Sequence, residues 1–173
     1  AKQILSSHNI SIKSYVTQIG EVRKERFSMD EIQSVLQKVK DDNDTVGAVV
    51  RVEIDNIPSG IGEPYFRKLQ AVLAQAMFSI NAVKGFEYGE GFRAASMRGS
   101  ECNDTFINIG DKIRTQTNHS GGIQGGISNG EQIYFNVAFK PIPTIMRQQQ
   151  TVDIEGKAVS YEVEGRHDVC AVP

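Results

Sequence analysis

One segment limits what its neighbours can be. Ser28 is followed three residues on by Glu31, and Ile32, Val35, Leu36 and Val39 then recur at helical spacing. That is the pattern of a capped amphipathic helix, from about Met29 to Lys40. It lies between two stretches of a different period. Asn9 to Gly20 (NISIKSYVTQIG) places Ile10, Ile12 and Val16 at even spacing, as a strand with one buried face does. After the polar turn DDND, Thr45 to Ile54 (TVGAVVRVEI) is rich in β-branched residues. It reads as a second strand whose apolar run suits burial on both faces.

The next elements follow the same logic. Asn56 to Glu63 (NIPSGIGE) has turn chemistry, and Pro64 is suited to the first turn of a second helix, running to about Ser79. That helix is expected to carry Phe66, Leu69, Val72, Leu73 and Ala76 toward a core. Ala82 to Tyr88 resumes extended structure, turned by Gly89, Glu90 and Gly91. From Phe92 to Gln116 neither period holds, so a long excursion with one short helix is expected, and long irregular loops in compact domains are often functional. Gln132 to Lys140 (QIYFNVAFK) reads as a strand, and TVDIEGKAVSYEVEG as a hairpin with Glu155, Gly156 and Lys157 near its turn. The order strand, helix, strand, helix, strand, then strands, indicates an α+β fold with helices packed on mixed or antiparallel β-sheets.

At 173 residues with 39% hydrophobic side chains, the chain suits a single domain, 1–173, with one sizeable core. The 19 basic and 21 acidic residues sum to −2, so neither nucleic acid nor an anionic membrane is an expected partner, and an anionic ligand must be met by local cations or backbone donors. Cys102 and Cys170 are far apart and lack metal-finger spacing. No disulfide framework or metal site is expected, and a reducing cytoplasm fits. No apolar run approaches the roughly 20 residues of a membrane span. The start, AKQILSSHNI, has no signal-peptide core and no initiator Met, which suggests processing or an excised piece.

Four segments could carry chemistry, each with a plainer alternative. Asn118 to Gly130 (NHSGGIQGGISNG) packs five glycines into ten positions from Gly121. It could bring backbone N–H groups close to a phosphate or flavin, or it could simply be a tight turn before the next strand. Lys140 to Ile145 (KPIPTI) sets a cation and a hydroxyl four residues apart on a segment stiffened by Pro141 and Pro143. It suits an oxyanion, or is a strand end with a solvated lysine. Gly165 to Asp168 (GRHD) joins a guanidinium, an imidazole and a carboxylate, for anion binding and proton transfer or as a surface charge cluster. In Ser79 to Gly85 (SINAVKG), Asn81 can bond a planar heterocycle or cap the helix before it. His8 and His119 have no metal-ligand partners at useful spacing.

Taken in order, SINAVKGFEYG, NHSGGIQGGISNG, FKPIPTI and GRHDVCAVP resemble the chorismate synthase family, and the match extends back through VTQIG and IPSGIGEPYFRKL to cover essentially the whole chain. The resemblance implies half of a sandwich of helices between sheets, in a cytoplasmic enzyme that is a homotetramer when full length. It also implies a reaction: anti 1,4-elimination of phosphate from 5-enolpyruvylshikimate 3-phosphate to give chorismate, with reduced flavin mononucleotide (FMN) as cofactor. By the same resemblance Asn81, Ala82, Gly125, Lys140, Pro141, Ile142, Pro143, Thr144 and Arg166 line the flavin site. Arg166 also approaches substrate, and Asp168 sits near nitrogen 5 of the flavin. Family members carry an amino-terminal half with two active-site histidines, substrate-binding arginines and an Arg-Ser-Ser type flavin motif, together with a terminal helical segment. Neither is among these residues, and His119 does not replace those histidines. The expectation is a carboxy-terminal portion without turnover of its own, the alternative being a non-catalytic flavin-binding or assembly module.

Overall fold

The computed structural model describes residues 1–165 and 168–172. In chain order the elements are helix α1 (Lys2–Ser7), strands β1 (Ser11–Ile19) and β2 (Val22–Arg23), helix α2 (Met29–Asp41), strand β3 (Ala48–Asp55), helix α3 (Leu69–Phe78) and strand β4 (Val83–Tyr88). A 3-10 turn, Gly91–Ser96, and the short helix α4 (Gly99–Cys102) precede the pairs β5 (Phe106–Ile109) with β6 (Lys112–Thr115) and β7 (Ile123–Gln124) with β8 (Ile127–Ser128). Strand β9 (Ile133–Phe139) and the pair β10 (Gln149–Val152) with β11 (Ala158–Tyr161) complete the set. Five strands form one sheet in the order β2-β1-β3-β9-β4, and three two-stranded antiparallel hairpins stand apart from it. The fold is thus α+β, with helices and antiparallel sheet.

The chain divides into two compact units, Ala1–Tyr15 with Val50–Val137, and Val16–Val49 with Ala138–Pro173. In the second, Ile19, Phe27 and Ile32 are buried together with Val16, Val35, Leu36 and Val46 packed on them. The apolar stripe of α2 is what this cluster covers. The Ser28 hydroxyl accepts the Glu31 N–H and the Glu31 carboxylate accepts the Ser28 N–H, so the capping box read from the sequence is formed. In the first unit, Ile133 is fully buried, and Phe135 meets Phe86 at 5.2 Å between ring centroids. Such aromatic pairs add to the gain from burial alone.

Several sequence expectations need correction. The second helix begins at Leu69, not Pro64, and Phe66 is 98% exposed where it was expected to face a core. The reason lies far along the chain: the Gly126 carbonyl accepts the Leu69 N–H at 2.8 Å and starts the helix there, while the Glu63 N–H donates to Arg67 and closes a turn over the residues before it. Strand β3 begins at Ala48, and only Ala48 and Ile54 are buried, so its apolar run is half-covered. The expected excursion after Phe92 contains the β5–β6 hairpin, with Gly110 at φ 64° in its turn, and helix α1 at the start was not read.

Helix α3 (LQAVLAQAMF) is apolar on most sides yet has no fully buried residue; Val72 and Phe78 stand 39% and 53% exposed. Helices apolar all round are ordinarily covered on every face. With Phe66, Phe92 and Tyr65 also exposed, the 173-residue chain is expected to self-associate as concentration rises. Sedimentation velocity checks this, and a monomer that stays soluble at high concentration contradicts it.

Candidate functional site

The glycine segment is built almost wholly from internal bonds. The Asp104 carboxylate accepts the Thr117 hydroxyl at 2.7 Å, the His119 N–H at 2.8 Å and the Ser120 N–H at 2.9 Å. Burial opposes ionisation of Asp104; the Thr117, Ser120 and His119 donors outweigh it and hold the carboxyl below its usual range. Asn118 accepts the Gly122 N–H through Oδ1 and donates through Nδ2 to the Gln132 carbonyl, each at 2.8 Å. His119 Nδ1 lies 2.8 Å from Glu90, whose other oxygen meets Arg93. The His119 contact first, then Arg93, holds the Glu90 carboxyl below its usual range against the burial that opposes it.

The exposed part of the segment is Gly125, at the hairpin tip. Gly125 and Gly126 form the two-residue turn between β7 and β8 with φ 61° and 92°, the positive pair that a type I′ turn requires. A Cβ on Gly125 would meet nothing within 4 Å, and Gly125 is exposed. On Gly122 a Cβ would lie 2.6 Å from the Gln132 carbonyl. The segment is a tight turn before the next strand: Gly122 serves close packing against β9, whereas Gly125 is exposed with open space around it.

The second unit gathers another set. The Thr45 hydroxyl donates to the Ile142 carbonyl at 2.6 Å, and the Val46 N–H donates to the Val169 carbonyl at 2.8 Å. Residues 45–46 therefore hold both the prolyl segment and the chain just after Asp168. A Cβ on Gly47 would come within 2.6 Å of the Phe139 carbonyl and 3.3 Å of the Pro141 ring, so only glycine admits this approach. Lys140 is exposed at the end of β9, Thr144 half-buried, and Asp168 exposed. Cys170 is 5% exposed, its thiol pushed up by burial, and anchors the segment beyond Asp168. A cavity of about 300 Å³ lies alongside, bounded by Gln18, Gly20, Gly47 and Ala138 among others. Thr45, Gly47 and Gln18 were not read as site residues; the single glycine interrupting TVGAVV was the available signal of close backbone approach.

The named candidates thus fall into two groups. Lys140, Pro141, Ile142, Pro143, Thr144 and Asp168 belong to the second unit, and Asn81, Ala82 and Gly125 to the first. Asn81 and Ala82 form the turn between α3 and β4, with Asn81 exposed and Ala82 at φ 69°. A non-glycine residue there costs about 1–2 kcal/mol. Among the described residues no hydrogen bond links that turn to Gly125. Arg166 lies outside the described residues. No cluster of three His, Cys, Asp or Glu side chains suited to a metal ion occurs among the described residues, and no helix there is long and apolar enough to cross a membrane.

The glycine hairpin and the prolyl segment of this α+β fold are each fixed by part-buried polar contacts. The backbone superposes on a crystal structure of chorismate synthase with TM-score 0.76 at 32% identity, covering 83% of this chain and 52% of that one. The family model described as chorismate synthase matches residues 1–173. Chorismate synthase of Bacteroides thetaiotaomicron is 45% identical over 193 aligned positions, with 100% of this chain and 54% of that protein covered. That of Methylacidiphilum infernorum is 52% identical over 84% of this chain and 40% of its own length. The chain belongs to the chorismate synthase family. It spans about half the length of the curated relatives it matches.

Proposed function

We propose that this chain is the flavin-binding portion of a chorismate synthase, a lyase that converts 5-enolpyruvylshikimate 3-phosphate to chorismate and phosphate in the cytoplasm, as a homotetramer when full length. The observation that best supports this reading is the clasp at residues 45–46, which ties Ile142 and Val169 to one edge. The two segments it ties carry Lys140 and Thr144 in one case and Asp168 in the other. Reduced FMN, when bound, would supply electron density to the substrate as its allylic phosphate departs and recover it as a proton leaves. Each unit by itself offers groups suited to such a cofactor: in the second, a cation and a hydroxyl that suit a phosphate, and in the first, an open backbone at Gly125.

In this assignment the Lys140 ammonium and the Thr144 hydroxyl bind the cofactor phosphate, and the two prolines keep their spacing fixed without adding competing donors. Asn81 offers an amide to the heterocycle. Arg166 binds anionic groups of the cofactor and approaches substrate. An Asp168 carboxylate oxygen takes up and passes on the proton that must leave the site as turnover completes.

Titrating the chain with FMN and following absorbance tests the reading. Lys140→Ala is expected to weaken binding by about 1.5–3 kcal/mol, roughly ten- to hundred-fold in Kd. Thr144→Val is expected to act in the same direction and less strongly. Because a phosphate contact contributes uniform binding, the saturated rate of the full-length protein should change little in Lys140→Ala. Unchanged FMN affinity in that variant removes Lys140 from the site.

A further inference from the structure

The irregular stretch between β4 and the glycine segment has no role in the reading above, yet it delivers Asp104 to the base of that segment. Asp104 is 8% exposed, the only buried acidic residue among the described residues. Its oxygens collect three donors, the Thr117 hydroxyl and the successive N–H groups of His119 and Ser120. Successive N–H groups at a turn form a concavity that attracts anions. Here an internal carboxylate fills it. The next donors are also committed: the Gly121 N–H to the Asn118 carbonyl at 3.1 Å, and the Gly122 N–H to the Asn118 side chain.

Two consequences follow. The N–H groups of residues 119–122 are spent inside the protein, so a cofactor phosphate gains nothing from them and must rely on cations elsewhere. And the hairpin that carries Gly125 is held on both flanks: β7 continues directly from the clamped residues, and the Gly126 carbonyl accepts the Leu69 N–H at 2.8 Å. We propose that Asp104 is a positioning residue for the flavin site: its carboxylate holds Thr117 to Ser120 so that the Gly125 tip presents its open backbone in one orientation. The inference rests on the assignment of Gly125 to that site, and Asp104 itself touches no cofactor.

The experiment compares FMN binding by the 173-residue chain with that of Asp104→Asn. Ile54→Ala, which removes buried methylenes from β3 far along the chain from the clamp, serves as a control for lost stability. Asparagine keeps the size but turns an NH₂ toward at least one donor. The expected result is FMN affinity at least about ten-fold weaker in Asp104→Asn, with the control close to the parent. Amide NMR signals of Gly125 and Gly126 should shift in Asp104→Asn while those of β10 and β11 stay in place. Parental affinity together with unmoved Gly125 and Gly126 signals overturns the proposal, and so does an equal affinity loss in the control.

If neither the 173-residue chain nor the full-length protein binds FMN, the flavin assignment fails. The positioning claim then stands or falls on the Gly125 and Gly126 signals alone. Should Asp104→Asn not fold, Thr117→Val removes one of the three donors and keeps the carboxylate. A smaller movement of the same signals is then expected, and none overturns the inference.

Discussion

In the full-length protein, Asp168→Asn is expected to slow saturated turnover by about 10²–10⁴-fold while FMN affinity changes little. Asparagine preserves the shape and hydrogen-bonding capacity of the side chain but cannot accept a proton. The fold gives the residue a fixed base. Val169 accepts the Val46 N–H at 2.8 Å, and Cys170 is 5% exposed, so the chain is anchored immediately beyond the carboxylate. Asp168 itself is exposed. A structural account gives a different outcome: if Asp168 serves as a cap or an ion-pair partner, the variant loses stability or binding and keeps most of its rate at saturation. Asp168 does engage other groups of the fold, so thermal stability, FMN affinity and saturated turnover are to be measured on one preparation. A stable, FMN-saturated Asp168→Asn enzyme turning over at the parental rate removes Asp168 from the mechanism.

What the sequence carried and what it withheld divide along a physical line. Helix α2 was legible to within a residue because its capping box and apolar stripe are local, all between Ser28 and Asp41. The β10–β11 hairpin was legible for the same reason, with Gly156 at φ 81° in the turn the sequence marked. The start of α3 was not, since the carbonyl that caps Leu69 belongs to Gly126, and no window of sequence contains both. The Asp104 clamp escaped notice likewise: Thr117, His119 and Ser120 stand 13 to 16 positions from it. Within the candidate site, the prolyl segment announced itself by composition, and the residues that hold it did not. Thr45 reaches Ile142 across 97 positions. Motifs name the residues that meet a ligand, whereas the residues that place them are fixed by long-range pairing, which local periodicity does not encode.

The same division predicts opposite behaviour for two glycines three positions apart. Gly122→Ala is expected to cost about 3–4 kcal/mol of stability. Its φ of 75° disfavours any side chain, and a Cβ would stand 2.6 Å from the Gln132 oxygen and 2.9 Å from both the Gln132 carbon and Ile133 Cγ1. Neither side can yield cheaply. Gln132 O is held by Asn118 Nδ2 at 2.8 Å, Ile133 is fully buried, and the Gly122 carbonyl accepts the Asn129 N–H at 3.0 Å. Gly125→Ala meets no atom within 4 Å, so only its φ of 61° counts against it, at about 1–2 kcal/mol. Urea unfolding of both variants separates these costs. FMN titration then separates structure from function: Gly125→Ala is expected to lose affinity beyond its small stability loss, because the added methyl occupies the space left for the ligand. If Gly122→Ala unfolds at the parental urea concentration, the close approach of the glycine segment to β9 is not what holds it. If Gly125→Ala binds FMN as the parent does, the open face of the hairpin tip is not where the cofactor lies.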